Sequence, residues 1–129
     1  MTIPHPLDGF DVRAAVARML DQPGLWWQAL GLFVEHFSAW EQAWQASIGD
    51  DAQECRKVHA VGSAAANVGA VRLASSAAAV EQGLRERLAG RAAEELEAAR
   101  RQLQADFRQS WQAAADAWRA NTPEPGGHA

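Results

Sequence analysis

Large apolar residues recur from Trp26 to Trp44 at intervals of 4, 3, 4, 3 and 4, namely Trp26, Leu30, Phe33, Phe37, Trp40 and Trp44. An α-helix turns once every 3.6 residues, so this spacing stacks all six side chains in one stripe, whereas a strand would scatter them over both faces. A chain with such a stripe must supply further helices to cover it. Composition agrees: alanine, the best helix former, is the commonest residue, and β-branched residues are few.

The same period marks the other segments. Asp8 or Asp11 can cap a short helix over about Asp11–Leu20, with Val12, Val16 and Met19 or Leu20 on its apolar side, before Asp21-Gln-Pro-Gly24 breaks the chain. The striped helix is predicted from about Leu25 to Ser47, stopping at Ile48-Gly49. Asp50 or Asp51 then caps a helix reaching about Val68, with Val58, Val61, Ala65 and Val68 inside and Gly69 as its stop. A helix over about Ala70–Leu88 buries Leu73, Ala77, Val80, Leu84 and Leu88. After the Ala89-Gly90 turn, a last helix spans about Arg91–Ala120, with Leu96, Leu103, Phe107, Trp111 and Trp118 along it. One short and four longer helices with brief connections predict an all-α fold. Its expected form is an up-down antiparallel four-helix bundle with a short N-terminal capping helix. Without an internal repeat or linker, a single domain is expected over residues 1–129, with a core of about 7–120 and irregular tails at 1–6 and 121–129.

Charge and composition exclude several classes of function. A net charge of −4 and a pI near 5.5, without a basic run, argue against binding nucleic acid through phosphates. No apolar stretch approaches the roughly 20 residues of a membrane span, and MTIPHPLDG does not read as a signal peptide. A single cysteine, Cys55, rules out an internal disulfide and a thiolate zinc cluster. A cytoplasmic protein is expected. The four histidines lack ligand spacing, so no metal site is expected. His5 and His128 fall in the tails, His36 reads as structural or solvated, and Cys55 as a small, partly buried residue.

His59 is the informative residue. By helical arithmetic it lies roughly 140° from the centre of its helix's buried stripe, facing solvent. Cys55 or Arg56 and Ser63 lie one turn away on either side, with Ala52 and Ala66 beyond. An exposed imidazole among small side chains can be approached closely by another protein, which suits a nucleophile or phosphoryl acceptor whose partner chemistry comes from outside. The plain alternative is a solvated surface histidine without a role.

The segment His59-Ala-Val-Gly-Ser-Ala-Ala-Ala-Asn-Val-Gly-Ala70 resembles the signature of histidine-containing phosphotransfer (HPt) domains, His-x-Leu-Lys-Gly-Ser/Ala-Ala/Ser-x-x-Leu/Ile-Gly-Ala, without a gap. The resemblance extends upstream through Leu7–Met19 and the apolar run of Leu32, Phe33, Val34 and Phe37. Downstream it continues through Arg72-Leu73 to Val80-Glu81 and covers roughly Leu7 to Trp118. It implies a phosphorelay intermediate of two-component signal transduction. His59 would accept a phosphoryl group from a response-regulator receiver aspartate and pass it to another receiver. Imidazoles as a class titrate near ~6.5, so a nitrogen lone pair is available at neutral pH.

The resemblance also implies that Glu81, 22 residues after His59, hydrogen-bonds the other ring nitrogen and orients the imidazole. Apart from the resemblance, Glu81 reads as a solvated carboxylate. No cofactor of its own is expected, because Mg²⁺ resides on the receiver. The expected partners are receiver domains and a hybrid histidine kinase, and the chain is expected to be monomeric. Two positions depart from the signature: Gly62 stands where the family has Lys, and Ser63 where it has Gly. Arg56 or Lys57, the only lysine, can replace the missing cation, and Arg56, Gly62, Ser63 and Ala66 are expected to shape the surface around the phosphate. Two other readings stay open: a degenerate HPt-like module that docks or sequesters a response regulator without phosphotransfer, and a structural helical bundle that holds a partner helix. A self-contained enzyme is the least expected, since one histidine and one carboxylate on an open face exclude no water.

Overall fold

A computed structural model describes residues 6–121; the expected tails, with His5 and His128, lie almost wholly outside the described residues. The described residues form six α-helices: α1 (Val12–Arg18), α2 (Pro23–His36), α3 (Trp40–Ser47), α4 (Asp51–Val68), α5 (Val71–Leu88) and α6 (Leu96–Asn121). Among the described residues there is no strand, only an isolated bridge between Leu7 and Phe10.

Local chemistry sets the ends of α4, the helix that matters most here. The Asp50 carboxylate accepts the Gln53 N–H at 3.2 Å, a side-chain N-cap. Gly69 closes the helix in the left-handed region, φ +84°, where its N–H returns to the Ala65 and Ala66 carbonyls. Glycine is required there a second time over, because a Cβ would lie 2.6 Å from the Asp11 carbonyl oxygen. That close approach docks α1: the Asp11 N–H donates to the Gly69 carbonyl at 2.7 Å, while the Asp11 carboxylate caps α1 by accepting from Ala14.

The striped segment is two helices rather than the single helix expected over Leu25–Ser47. The chain leaves helical geometry between His36 and Trp40, where the Ser38 hydroxyl donates to the Glu35 carbonyl and competes with the helical ladder. The stripe survives the break, and it gains by being re-aimed. The Trp26, Trp40 and Trp44 indole N–H groups donate to the Val68 carbonyl, the Lys57 carbonyl and the Glu54 carboxylate, respectively, at 2.9, 2.9 and 3.0 Å. Three indoles thus pin α2 and α3 along the back of α4.

Other boundaries shift for identifiable reasons. Helix α2 begins at Pro23 rather than Leu25, since proline at the first position has no N–H to satisfy. Helix α1 stops at Arg18 because Leu20 and Asp21 adopt positive φ. Helix α6 begins at Leu96 rather than Arg91 and includes Asn121, which was expected in the tail. Leu88, expected inside, is 54% exposed: α6 begins its cover of α5 where Leu96 meets Gly83, short of the last turn of α5.

Helices α4 and α5 run antiparallel, since Asp51, His59 and Gly62 on α4 face Arg87, Glu81 and Ala77 on α5. The core between the helices holds Trp26, Leu30, Trp44, Val58, Val61, Leu73, Val80, Leu84 and Leu103, all fully buried. Ala65, Val68, Ala77, Leu96 and Phe107 are also buried there, while Trp111 and Trp118 are half-buried. Among the described residues one ion pair lies inside: the fully buried Glu54 of α4 meets Arg100 of α6, 7% exposed, through two hydrogen bonds.

Candidate functional site

Helix α4 buries Val58 and Val61 against the core, and the helical twist therefore turns His59 outward. Its side chain is 61% exposed. The antiparallel partner α5 brings Glu81 alongside: His59 Nδ1 lies 3.2 and 3.1 Å from the two Glu81 carboxylate oxygens. Glu81 is the more sheltered of the two, with its side chain 17% exposed, and Arg85, one turn later on α5, donates from Nη2 to its Oε2.

These contacts decide the state of the imidazole. An ionised carboxylate only accepts, so the proton of a neutral ring sits on Nδ1 and the lone pair is on Nε2. Among the described residues Nε2 has one hydrogen-bonding neighbour, the Ser63 hydroxyl at 3.5 Å, a loose contact that leaves the lone pair reachable from solvent. The arrangement can hold a tautomer, offset positive charge on the ring through Glu81, and present a nucleophilic nitrogen on an open surface.

The other expected site residues divide. Ser63 joins His59 and Glu81. Arg56 is exposed on α4, and neither its side chain nor that of Lys57 forms a hydrogen bond or ion pair among the described residues. Gly62 turns toward α5, where an added Cβ would lie 3.1 Å from the Ala77 Cβ. The glycine is thus a packing residue that lets α4 and α5 approach closely beneath the histidine. Ala66 is exposed two turns beyond His59, and its carbonyl accepts from Arg18 Nη2 of α1 at 2.8 Å.

Sequence reasoning missed Arg85 and Arg18. Arg85 had a signal, an acid followed four residues later by a base on one helix. Arg18 had none, because its contact spans 48 residues.

Cys55 is partly buried, one turn before His59. His36 is exposed and lines a shallow groove between α2 and α4 with Leu32, Phe37, Ala64 and Asn67. Leu32 is half exposed beside it, so an apolar surface adjoins the histidine's side of α4. Among the described residues no group of three or more His, Cys, Asp or Glu is placed to hold a metal ion, and no helix is long and apolar enough to cross a membrane. Set against models of known protein families, curated proteins and solved structures, the chain matches none.

Proposed function

We propose that this chain is a histidine phosphotransfer protein of the HPt type. In this reading the long helices, with α2 and α3 counted as one interrupted element, form a four-helix bundle with α1 at one end, and the bundle relays phosphoryl groups between receiver domains. The observation that carries the reading is the pairing of His59 Nδ1 with the Glu81 carboxylate while Nε2 faces outward. In the transfer, the Nε2 lone pair attacks phosphorus of a receiver's aspartyl phosphate. The N–P bond forms, the P–O bond to the aspartate breaks, and the aspartate leaves as a carboxylate with the bonding electrons. The Nδ1 proton stays in place, donated to Glu81, which offsets the charge that develops on the ring. The receiver's own Mg²⁺ supplies the Lewis acid, and the reverse steps deliver the group to a second receiver. Docking uses α4 around His59 and the adjoining apolar side of α2, a contact of modest, transient kind.

One observation favours a second reading. Gly62 stands where the family signature has a lysine, and Ala77 takes up the space at its Cβ. A module without that cation can dock a receiver without accepting phosphate. The two readings separate in a labelling experiment in which phosphorylated receivers are mixed with the wild-type chain, His59→Gln and Glu81→Gln. The relay reading expects acid-labile, base-stable label on the wild type, none on His59→Gln, and transfer slowed by about 10- to 100-fold in Glu81→Gln. Receiver binding with no label on the wild type overturns the relay reading in favour of the docking module.

A further inference from the structure

We propose that Arg18 supplies the phosphoryl-binding cation that the α4 sequence lacks. This rests on the phosphotransfer reading of His59. Arg18 closes α1, and a cation in the last turn of a helix suits its negative end. That alone would leave the side chain free to point into solvent. Instead its Nη2 reaches across to α4 and donates to the Ala66 carbonyl. Ala66 and Ser63 lie one turn apart on the face that carries His59. Arg18 and Ser63 line one open depression, together with Ala66, Asn67, Val71 and Ala74. Among the described residues the Ser63 hydroxyl is also the hydrogen-bonding group at His59 Nε2, the nitrogen on which the phosphoryl group would be carried. The depression therefore runs from Ser63, the residue beside the reactive nitrogen, to Arg18.

Three further observations single out this arginine. No carboxylate lines the depression, and Arg18 forms no ion pair among the described residues, so its charge is not cancelled there. Of the other cations near the histidine, Arg85 is committed to Glu81 on the Nδ1 side, and Arg56 lies one turn before His59, on the opposite side from Ser63. A lysine at position 62 would press its Cβ into Ala77. With position 62 held to glycine by the close α4–α5 contact, the cation comes from α1. Its single hydrogen bond to a carbonyl holds it near without fixing it. Rotation about its side-chain bonds carries the guanidinium toward Ser63, where it can meet phosphoryl oxygens on Nε2.

The test uses the full chain as wild type, Arg18→Gln, Arg18→Lys and Arg56→Gln. Each, in a background of His5→Gln, His36→Gln and His128→Gln, is phosphorylated on His59 chemically with potassium phosphoramidate, which needs no partner, and the phosphoryl group is titrated by ³¹P NMR. A nearby cation favours the dianion, so Arg18→Gln is expected to raise the phosphoryl pKa by a few tenths of a unit. Arg18→Lys should return it toward the wild-type value and Arg56→Gln should leave it unmoved. A merely structural tether would not move this readout, and melting temperatures check that the fold persists. Transfer from phosphorylated receivers is measured alongside. Arg18→Gln is expected to slow it by about tenfold, the scale of one exposed charge-assisted hydrogen bond, and Arg18→Lys to recover most of the loss. If Arg18→Gln matches wild type in both measurements while the wild type takes label from receivers, the Arg18 assignment falls and the relay reading stands. If no receiver labels the wild type but the ³¹P shift is present, the relay reading falls and the phosphoryl contact stands.

Discussion

Two carboxylates, Glu54 on α4 and Glu81 on α5, are each held by an arginine, and they differ chiefly in their access to water. Glu54 is fully buried and fully satisfied: Arg100 donates from Nε at 3.0 Å and from Nη2 at 2.6 Å, and the Trp44 indole adds a third bond at 3.0 Å. Arg100 in turn donates from Nη1 to Glu97 at the surface. Glu81 lies against His59 and Arg85, both largely exposed. Around α4, Glu54 and His59 point roughly 140° apart, so one helix carries a buried lock on one side and an open site on the other. In the low-dielectric interior the Glu54–Arg100 pair is strong and costly to break, which suits a fixed joint between α3, α4 and α6. Solvent weakens the Glu81 cluster, so its members can change charge and partners without unfolding the chain. A group that must change its charge or partners needs the second environment.

The comparison breaks most readily at Glu54. Glu54→Gln leaves Arg100 facing a neutral amide in the interior and is expected to cost about 3 kcal/mol, at the lower end for a broken buried pair because Glu97 still meets Arg100. Urea unfolding measures it. Glu81→Gln in the same experiment should cost under about 1 kcal/mol, as exposed ion pairs do, and His59→Gln about 0.5 kcal/mol or less. Equal losses at Glu54 and Glu81 would remove the distinction between lock and site. Replacing both members of the buried pair, Glu54→Leu with Arg100→Leu, should recover much of the loss, since no charge is then stranded.

A smaller effect is expected at Gly62, where packing limits what the open site can hold. Gly62→Lys adds a cation one turn from His59 but forces a Cβ to within 3.1 Å of the Ala77 Cβ. Overpacking of this kind costs about 1–3 kcal/mol, partly offset by roughly 0.5–1 kcal/mol from replacing a helical glycine. A net loss of about 1 kcal/mol in urea unfolding is expected, and Ala77→Gly in the Gly62→Lys background should relieve it. If Gly62→Lys is as stable as wild type, α5 yields easily and the glycine has another reason to be there.

Much of this was legible in the sequence, and what was not has a common cause. The all-helical character, both ends of α4 and the outward turn of His59 follow from local rules: a 3.6-residue period, a capping aspartate and a glycine stop. Glu81 was singled out only by a family resemblance, since its residue type alone reads as a solvated carboxylate. The break after His36 was hidden because a helical stripe continues in phase through Phe37 into Trp40, and one serine hydroxyl redirecting a carbonyl leaves no mark on periodicity. Glu54 and Arg100 were visible in principle: each occupies a stripe position, four residues before Val58 and four after Leu96, where an apolar residue belongs. Two charges on two apolar stripes suggest a buried pair, but only the packing of α4 on α6 says that they meet. The Arg18 contact depends wholly on tertiary structure and could not be read at all.

The smallest expected effect belongs to a third pair, whose carboxylate is the most exposed of the three, at 23%. Glu41 on α3 receives Arg108 of α6 through Nε at 2.9 and 3.1 Å and through Nη2 at 2.6 Å, and Gln104 adds a bond at 3.0 Å. The hydrogen bonds from Arg108 hold the Glu41 carboxyl below its ordinary value of 4.5, against an opposing push from burial, with Gln104 and the charge of Arg108 assisting. A carboxyl whose pKa is lower in the folded state adds stability above its unfolded value, and that stability is lost as pH falls through the folded value. Glu41→Gln should therefore shift the urea midpoint slightly downward at pH 6, and the gap from wild type should close as pH falls below 4.5. Added salt should shrink the gap at pH 6, because Arg108 is 64% exposed, whereas it should leave the Glu54→Gln loss nearly unchanged. A Glu41→Gln gap that survives both acid and salt would mean that hydrogen-bond geometry rather than charge carries this joint, and exposure to water would then no longer rank the three carboxylates.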